Sequence, residues 1–263
     1  MSSQSGELAP YSFSPIAHRG GAFLPSNIGI ENTLAAFRNA TRLGFRHLET
    51  DVHVTKDGEL VVFHDSDLAR IAGVPAQISD LTLEELKQIR IGGKEEIPTL
   101  DELFEAFPSA YFNIDIKTPR AVVALAETIR SHGLENQVCV ASFSTCRLLR
   151  FRKLLPGVTT AISPLGVMGM LVERVAKHDP GSPRVYQVPL FHKICGIPVR
   201  IVTPARVQAV QRAGHQIQVW TVDDALQMHQ LIDWRVDGIM TDRPDVLKQV
   251  LRERGMWSTR FGV

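Results

Sequence analysis

Cysteine is scarce in this sequence: Cys139, Cys146 and Cys195 are the only three among 263 residues. Three scattered thiols build neither a disulfide framework nor a four-ligand zinc site, and they read as small, reduced, apolar residues of a cytoplasmic protein. Net charge is equally scarce, with 29 Lys and Arg against 28 Asp and Glu, a formal balance of +1. Such a chain has no global field to recruit nucleic acid or an anionic membrane, so anion binding has to come from a local constellation. The opening MSSQSGELAPYSFSP lacks the basic start and apolar stretch of a secretory leader and reads as a flexible polar tail over 1–12. Uninterrupted apolar runs are missing too. Leu154–Val172 carries no formal charge and is about as long as a membrane span, but Pro156, Gly157, Pro164, Gly166 and Gly169 break it, so no transmembrane segment is expected. Nor is there a G-x-G-x-x-G turn to support an open dinucleotide-binding sheet.

What is present is alternation. With 44% apolar and 22% charged residues the chain can bury a substantial core, and apolar runs of strand length alternate with amphipathic helical stretches. The strand candidates are Pro15–Ala17, Arg46–Val54, Tyr111–Ile116, Gln137–Ala141, Thr159–Ile162, Arg184–Val188, Gln216–Thr221 and Gly238–Met240. Helices between them carry readable ends. Thr33–Leu43 follows Asn32, an N-cap type, and stops at Gly44; LTLEELKQI starts at Thr82; Pro119–Ser131 has proline first and Gly133 just past its end. TPARVQAVQRAG and DRPDVLKQVLRERG repeat that grammar. Eight strands alternating with helices predict a single α/β domain over 13–254, a (β/α)8 TIM barrel, followed by a C-terminal tail over 255–263. Lys56-Asp57-Gly58 is turn chemistry between two alternating runs, so DVHVTKDGELVVFHD predicts a small hairpin extension of the second strand that returns His64 beside Asp51 and His53.

Barrel chemistry gathers at the C-terminal ends of the strands, which here carry His18-Arg19, Glu49-Asp51-His53, His64-Asp65, Asp115-Lys117, Trp220 and Asp242. Side chains alternate along a strand, so Glu49, Asp51 and His53 share one face. Polar groups facing a barrel interior are costly unless they bind something. Two carboxylates at this spacing suit Mg²⁺ or Ca²⁺, hard cations that take oxygen ligands; the alternative is a hydrogen-bonded polar layer inside the barrel. Asn113, Asp115 and Lys117 alternate in the same way, with Asp115 able to add a third carboxylate and Lys117 a cation for an oxyanion. His18 and His64 offer the imidazole–imidazolium pair of general acid–base work near neutral pH, and Arg19 offers a planar fork matched to phosphate oxygens. Acid, base, divalent cation and arginine together point to phosphoryl transfer or phosphodiester cleavage. His47 is expected to face away from the side of Glu49 or to lie on the rim of the second strand, His132, His178, His215 and His229 to be exposed in helical or loop contexts, and His192 to lie within reach of the site, though its spacing does not demand it.

AHRG, ENTLAAF, ETDVHVTKDGELVVFHD, LTLEEL, IPTLDEL, NIDIK, VWTVDD and DGIMTDRP occur in this order between about Ile16 and Val250. In these residues the chain resembles the glycerophosphodiester phosphodiesterase family. The resemblance implies a barrel of the type also found in phosphoinositide phospholipase C. It implies a metal (Mg²⁺ or Ca²⁺, with Mn²⁺ possible) held by Glu49, Asp51 and Asp115. It further implies His18 and His64 as the catalytic pair, and substrate contacts from Arg19 and Lys117, with Glu31 and Trp220 completing that set. The chain departs from the pattern in having Asp115 where the family often has glutamate, GIENT in place of PENT, and IAGVPAQ after HDSDLAR, with little room for a cap between Asp65 and Ile97.

Three readings follow. One is metal-dependent hydrolysis of a small-molecule glycerophosphodiester to sn-glycerol 3-phosphate and an alcohol. Another is the same chemistry on a lysophospholipid, as a lysophospholipase D, for which GAFLPSNIGI and SPLGVMGMLV are candidate apolar walls. The last is a phosphate-ester binding barrel without catalysis.

Overall fold

The computed structural model describes residues 13–171, 175, 184–194 and 196–257. Eight parallel strands lie in chain order: β1 Ser14–Ala17, β2 His47–Val54, β3 Tyr111–Ile116, β4 Val138–Ala141, β5 Thr159–Ala161, β6 Arg184–Pro189, β7 Gln216–Trp220 and β8 Gly238–Thr241. Each pairs with the next, and β1 pairs with both β2 and β8, so the sheet closes. Closure leaves no barrel edge, and helices cover the outer face, burying Leu48, Val52, Ile114, Val140, Ile217 and Ile239 completely. The eight expected strands are thus the eight of the barrel, with ends shifted by a residue or two. The expected tail over 1–12 lies outside the described residues, as do Cys195 and His178. Past 254 the chain packs inward: the Trp257 ring lies 5.4 Å from that of Phe45.

The hairpin forms as the Lys56-Asp57-Gly58 turn demands, with Leu60–Val62 antiparallel to Val52–Val54. The chain between β2 and β3 then folds over a core of its own, Val61, Phe63, Leu68, Ile78, Leu86, Ile91 and Ile97, all buried. Within it the helix expected from Thr82 is a single turn, Leu83–Leu86, closed by a reciprocal Thr82–Glu85 capping box.

Four local expectations are corrected. Helix Leu34–Arg42 is capped by Thr33, whose Oγ1 accepts from the Ala36 N–H at 3.2 Å. Asn32 sits instead in the left-handed region at φ 59°, its amide turned into the site. His215 is buried rather than exposed, edge-on to Tyr186; following Gly214, it is the last residue before β7. His132 and His229 are half-buried, His132 paired with Asp101 at 2.7 Å and His229 with Glu253 at 3.4 Å. An antiparallel hairpin, Phe191–Ile194 with Ile197–Arg200, follows β6 where no strands were expected. Arg200 anchors it by stacking over Phe191 at 5.2 Å and Trp234 at 4.9 Å.

Candidate active site

β1 stops at Ala17, and His18–Gly20 make one tight turn with Arg19 in the left-handed region at φ 51°. Holding a non-glycine residue there costs about 1–3 kcal/mol, so its surroundings have to impose it. They do: the Arg19 N–H donates to Glu49 Oε2 at 3.0 Å, and its carbonyl accepts from the Asn32 N–H at 3.0 Å. Gly20 lets helix Leu34–Arg42 close in, since a Cβ there would stand 3.0 Å from the Ala36 backbone. The turn delivers both side chains to a cavity of about 630 Å³ at the C-terminal mouth of the barrel. His18 pairs through Nδ1 with Asp242 at 2.8 Å, and its Nε2 lies 3.7 Å from Glu49. Burial alone would lower the imidazole pKa, but the Glu49 carboxylate and the bond to Asp242 outweigh it and push it up to about 9.

The register of β2 on β3 sets Glu49 beside Asn113 and Asp51 beside Asp115, so three buried carboxylates line one wall. Lys117 Nζ bridges Asp51 at 2.8 Å and Asp115 at 2.7 Å. Against the cost of burial, Lys117 and then Arg19 hold Asp51 below the usual carboxylate range, and Asn32 donates to its second oxygen at 3.1 Å. Glu49 moves the other way, pushed up to about 7 by burial and by the Asp51 charge. Lys117 is held above its ordinary value by the two aspartates despite its burial. Asp115 Oδ1 is buried without a hydrogen-bond partner. Among the described residues no three carboxylate, imidazole or thiolate groups already converge at metal-binding spacing, because Lys117 stands between two of the acids. The donor set itself, three buried carboxylates with one oxygen unspent, fits a hard divalent cation.

His64 comes back to this wall as the hairpin predicts: the His53 ring bonds its carbonyl at 3.1 Å, and the Phe63 N–H donates to the Asp51 carbonyl at 3.0 Å. Its Nδ1 pairs with Asp65 at 2.7 Å. Beyond lies a residue that the sequence did not single out. Arg70, on the one-turn helix Ala69–Ala72, donates from Nε to Asp65 at 2.5 Å and from Nη2 and Nη1 to Glu31 at 2.7 and 3.2 Å. Glu31 in turn accepts from Arg19 Nη1 at 2.9 Å. Despite its burial, the two arginines hold Glu31 below its ordinary value. A continuous ladder, His64–Asp65–Arg70–Glu31–Arg19, therefore spans the mouth. The signal available in advance was spacing alone: Arg70 follows His64 closely in HDSDLAR.

Gln187 Nε2 donates to Asn113, level with Glu49 in the strand register, at 2.6 Å and to Gln218 at 2.9 Å, so a hydrogen-bonded polar layer lies alongside the acids rather than replacing them. Asp242, which sequence placed only at a strand end, orients His18. Trp220 lines the cavity with its ring edge-on to Phe143 at 5.7 Å. The unexpected hairpin brings His192 and Lys193 to the mouth, and Ile162, Val167, Met168 and Leu171 make an apolar wall.

Residues 18–246 match the model of the Glycerophosphoryl diester phosphodiesterase family. A Mycobacterium tuberculosis protein named "Probable glycerophosphodiester phosphodiesterase 2" is 37% identical over 251 residues, covering 92% of each chain. A human lysophospholipase D is 27% identical over 90% of this chain and 85% of its own. In structure, an Oleispira antarctica phosphodiesterase solved with its product sn-glycerol-3-phosphate superimposes with a TM-score of 0.74 at 24% identity, over 91% of this chain and 96% of that one.

Proposed function

This chain belongs to the glycerophosphoryl diester phosphodiesterase family, and from that premise we propose that it hydrolyses glycerophosphodiesters to sn-glycerol 3-phosphate and an alcohol. The observation that carries the reading is one cavity lined by His18, His64, Arg19, Lys117 and three buried carboxylates, with each histidine oriented by an aspartate. In this reading Arg19 and Lys117 bind the phosphate oxygens and offset the charge that grows there in the transition state. His18, clamped between Asp242 and Glu49, favours the imidazolium and gives its proton to the leaving alcohol oxygen. His64, oriented by Asp65, takes the proton of the attacking hydroxyl, whether from water or from the glycerol 2-position. Glu49, Asp51 and Asp115 are the residues to hold Mg²⁺ or Ca²⁺, with Mn²⁺ as a further candidate. Bound there, a cation supplies Lewis-acid polarisation of the phosphoryl group.

The test is release of glycerol 3-phosphate from glycerophosphocholine by chelator-stripped protein, with Mg²⁺, Ca²⁺ or Mn²⁺ returned in turn. Restored release is expected; full activity after stripping would remove the cation from the scheme, and no release with any ion would remove simple diesters as substrates. His18→Ala should lower turnover at least about 10³-fold with an unchanged circular dichroism spectrum, and near-normal turnover would overturn the role of His18. The apolar wall of Ile162, Val167, Met168 and Leu171 favours a second reading, in which the diester is a lysophospholipid whose acyl chain lies along that wall. Relative rates on glycerophosphocholine and lysophosphatidylcholine separate the two.

A further inference from the structure

Helix Pro164–Leu171, with sequence PLGVMGML, is apolar around its whole circumference. A helix of that kind belongs in a core or in lipid, yet Leu165 is 70% exposed and Met168 57%. At eight residues it is about 12 Å long, far too short to cross a bilayer. It is not alone. Phe143 after β4 is 69% exposed and Phe191 after β6 is 48% exposed, while Phe23 and Ile28 protrude from the loop after β1. All of these leave the C-terminal ends of barrel strands, on the face where the cavity opens; the other exposed large apolar residues, Tyr111, Leu149, Leu154 and Leu226, are scattered singly over a strand start and two helices. After β4, β5 and β6 the charge is of one sign. Segments 142–146, 162–171 and 190–203 contain no acidic residue, and their charged groups are Lys193 and Arg200.

We infer that the face after β4, β5 and β6 is a docking surface for an anionic phospholipid bilayer, with the helix Pro164–Leu171 lying in the headgroup layer and the cavity opening onto it. Two features select lipid as the occupant. The apolar rim is continuous with the apolar wall of the cavity, since Phe143 and Met168 belong to both. Among the described residues of 142–146, 162–171 and 190–203 the formal charges are cationic, and Lys193 at the cavity mouth is the one that complements anionic headgroups, Arg200 being taken up by Gln230, Phe191 and Trp234. The surface goes beyond the proposed reaction and holds whichever diester is cleaved.

Sedimentation with sucrose-loaded vesicles tests it, using pure phosphatidylcholine and a two-to-one mixture with phosphatidylglycerol at low salt. The wild-type protein is expected to pellet with the mixed vesicles, and to pellet less in high salt. Leu165→Asp should weaken that partition by about tenfold or more and Lys193→Glu by about fivefold. Leu165 does not line the cavity, so Leu165→Asp should hydrolyse soluble glycerophosphocholine at the wild-type rate, which also shows that it is folded. Failure of the wild type to pellet with mixed vesicles would overturn the inference. So would equal pelleting of Leu165→Asp, or a dimer in sedimentation equilibrium that Leu165→Asp dissolves. Pelleting of a protein that cleaves no diester would leave the docking surface standing and the proposed reaction fallen.

Discussion

The side chains of this site gain their properties from pairing rather than from type. Arg70 shows how far that reaches, because one guanidinium holds both Asp65, which orients His64, and Glu31, which orients Arg19. Arg70→Lys keeps the charge but cannot span both carboxylates with a point ammonium. It should lower kcat on glycerophosphocholine by about 10- to 100-fold while the urea midpoint stays within experimental scatter. A loss confined to stability would reduce Arg70 to a surface strut. His47 makes a separate point at the N-terminal rim of β2, where its ring stacks on Tyr111 at 5.0 Å and Nδ1 is buried without a partner. Burial lowers its pKa to about 4. The unfolded chain therefore takes up a proton near pH 6.5 that the folded protein refuses, so stability falls as the pH drops from about 6.5 to 4 and is flat below. His47→Phe keeps the stack and should remove about 2 kcal/mol of that pH dependence, read from urea unfolding at pH 7 and pH 4.5.

Among the elements, the chain between β2 and β3 is the most independent. Its seven buried apolar residues form a core apart from that of the barrel, and His64, Asp65 and Arg70 all stand on it. Truncating Leu86, which is fully buried there, to alanine should cost about 2–4 kcal/mol. Part of that loss should appear as local opening. Amide exchange in 60–97 is therefore expected to quicken while β4 to β8 stay protected, and kcat should fall because His64 rides on the loosened element. Uniform quickening across the barrel would show that the two cores melt as one. The hairpin after β6 lies at the other extreme. Phe191 and Ile194 are three apart and only Ile197 and Val199 keep a two-residue spacing, with Pro198 between them, so the run carries no strand period to read.

For the molecule as a whole, closure joins the two ends of the sequence. β1 lies between β2 and β8, and the last described residue, Trp257, packs on Phe45 just before β2, with Lys248 above its ring at 5.4 Å. Trp257→Ala should therefore destabilise the entire barrel by about 2 kcal/mol, seen as a single lowered urea midpoint with unchanged slope. A near-zero effect would mean that the end of the chain rests on the barrel without bracing it. No helix among the described residues is long and apolar enough to cross a membrane. The uncharged run from Leu154 is instead spread over the end of a helix, the strand β5 and the short helix Pro164–Leu171.

Local chemistry carried much of what depends on period and punctuation, though not the Thr33 cap or the hairpin after β6. Alternating apolar residues set out eight strands, proline and glycine marked helix ends, Lys56-Asp57-Gly58 fixed the hairpin, and the residues at the strand ends named the candidate site. What those residues do to one another was beyond that reach, because a pairing such as His18 with Asp242 joins groups 224 positions apart. Only the closed barrel brings β8 next to β1. Only the β2–β3 register sets Lys117 between Asp51 and Asp115, and only the folded excursion turns Arg70 back onto Glu31. The same holds for the exposed apolar rim, since periodicity tells which residues are apolar but not which of them the tertiary fold leaves uncovered.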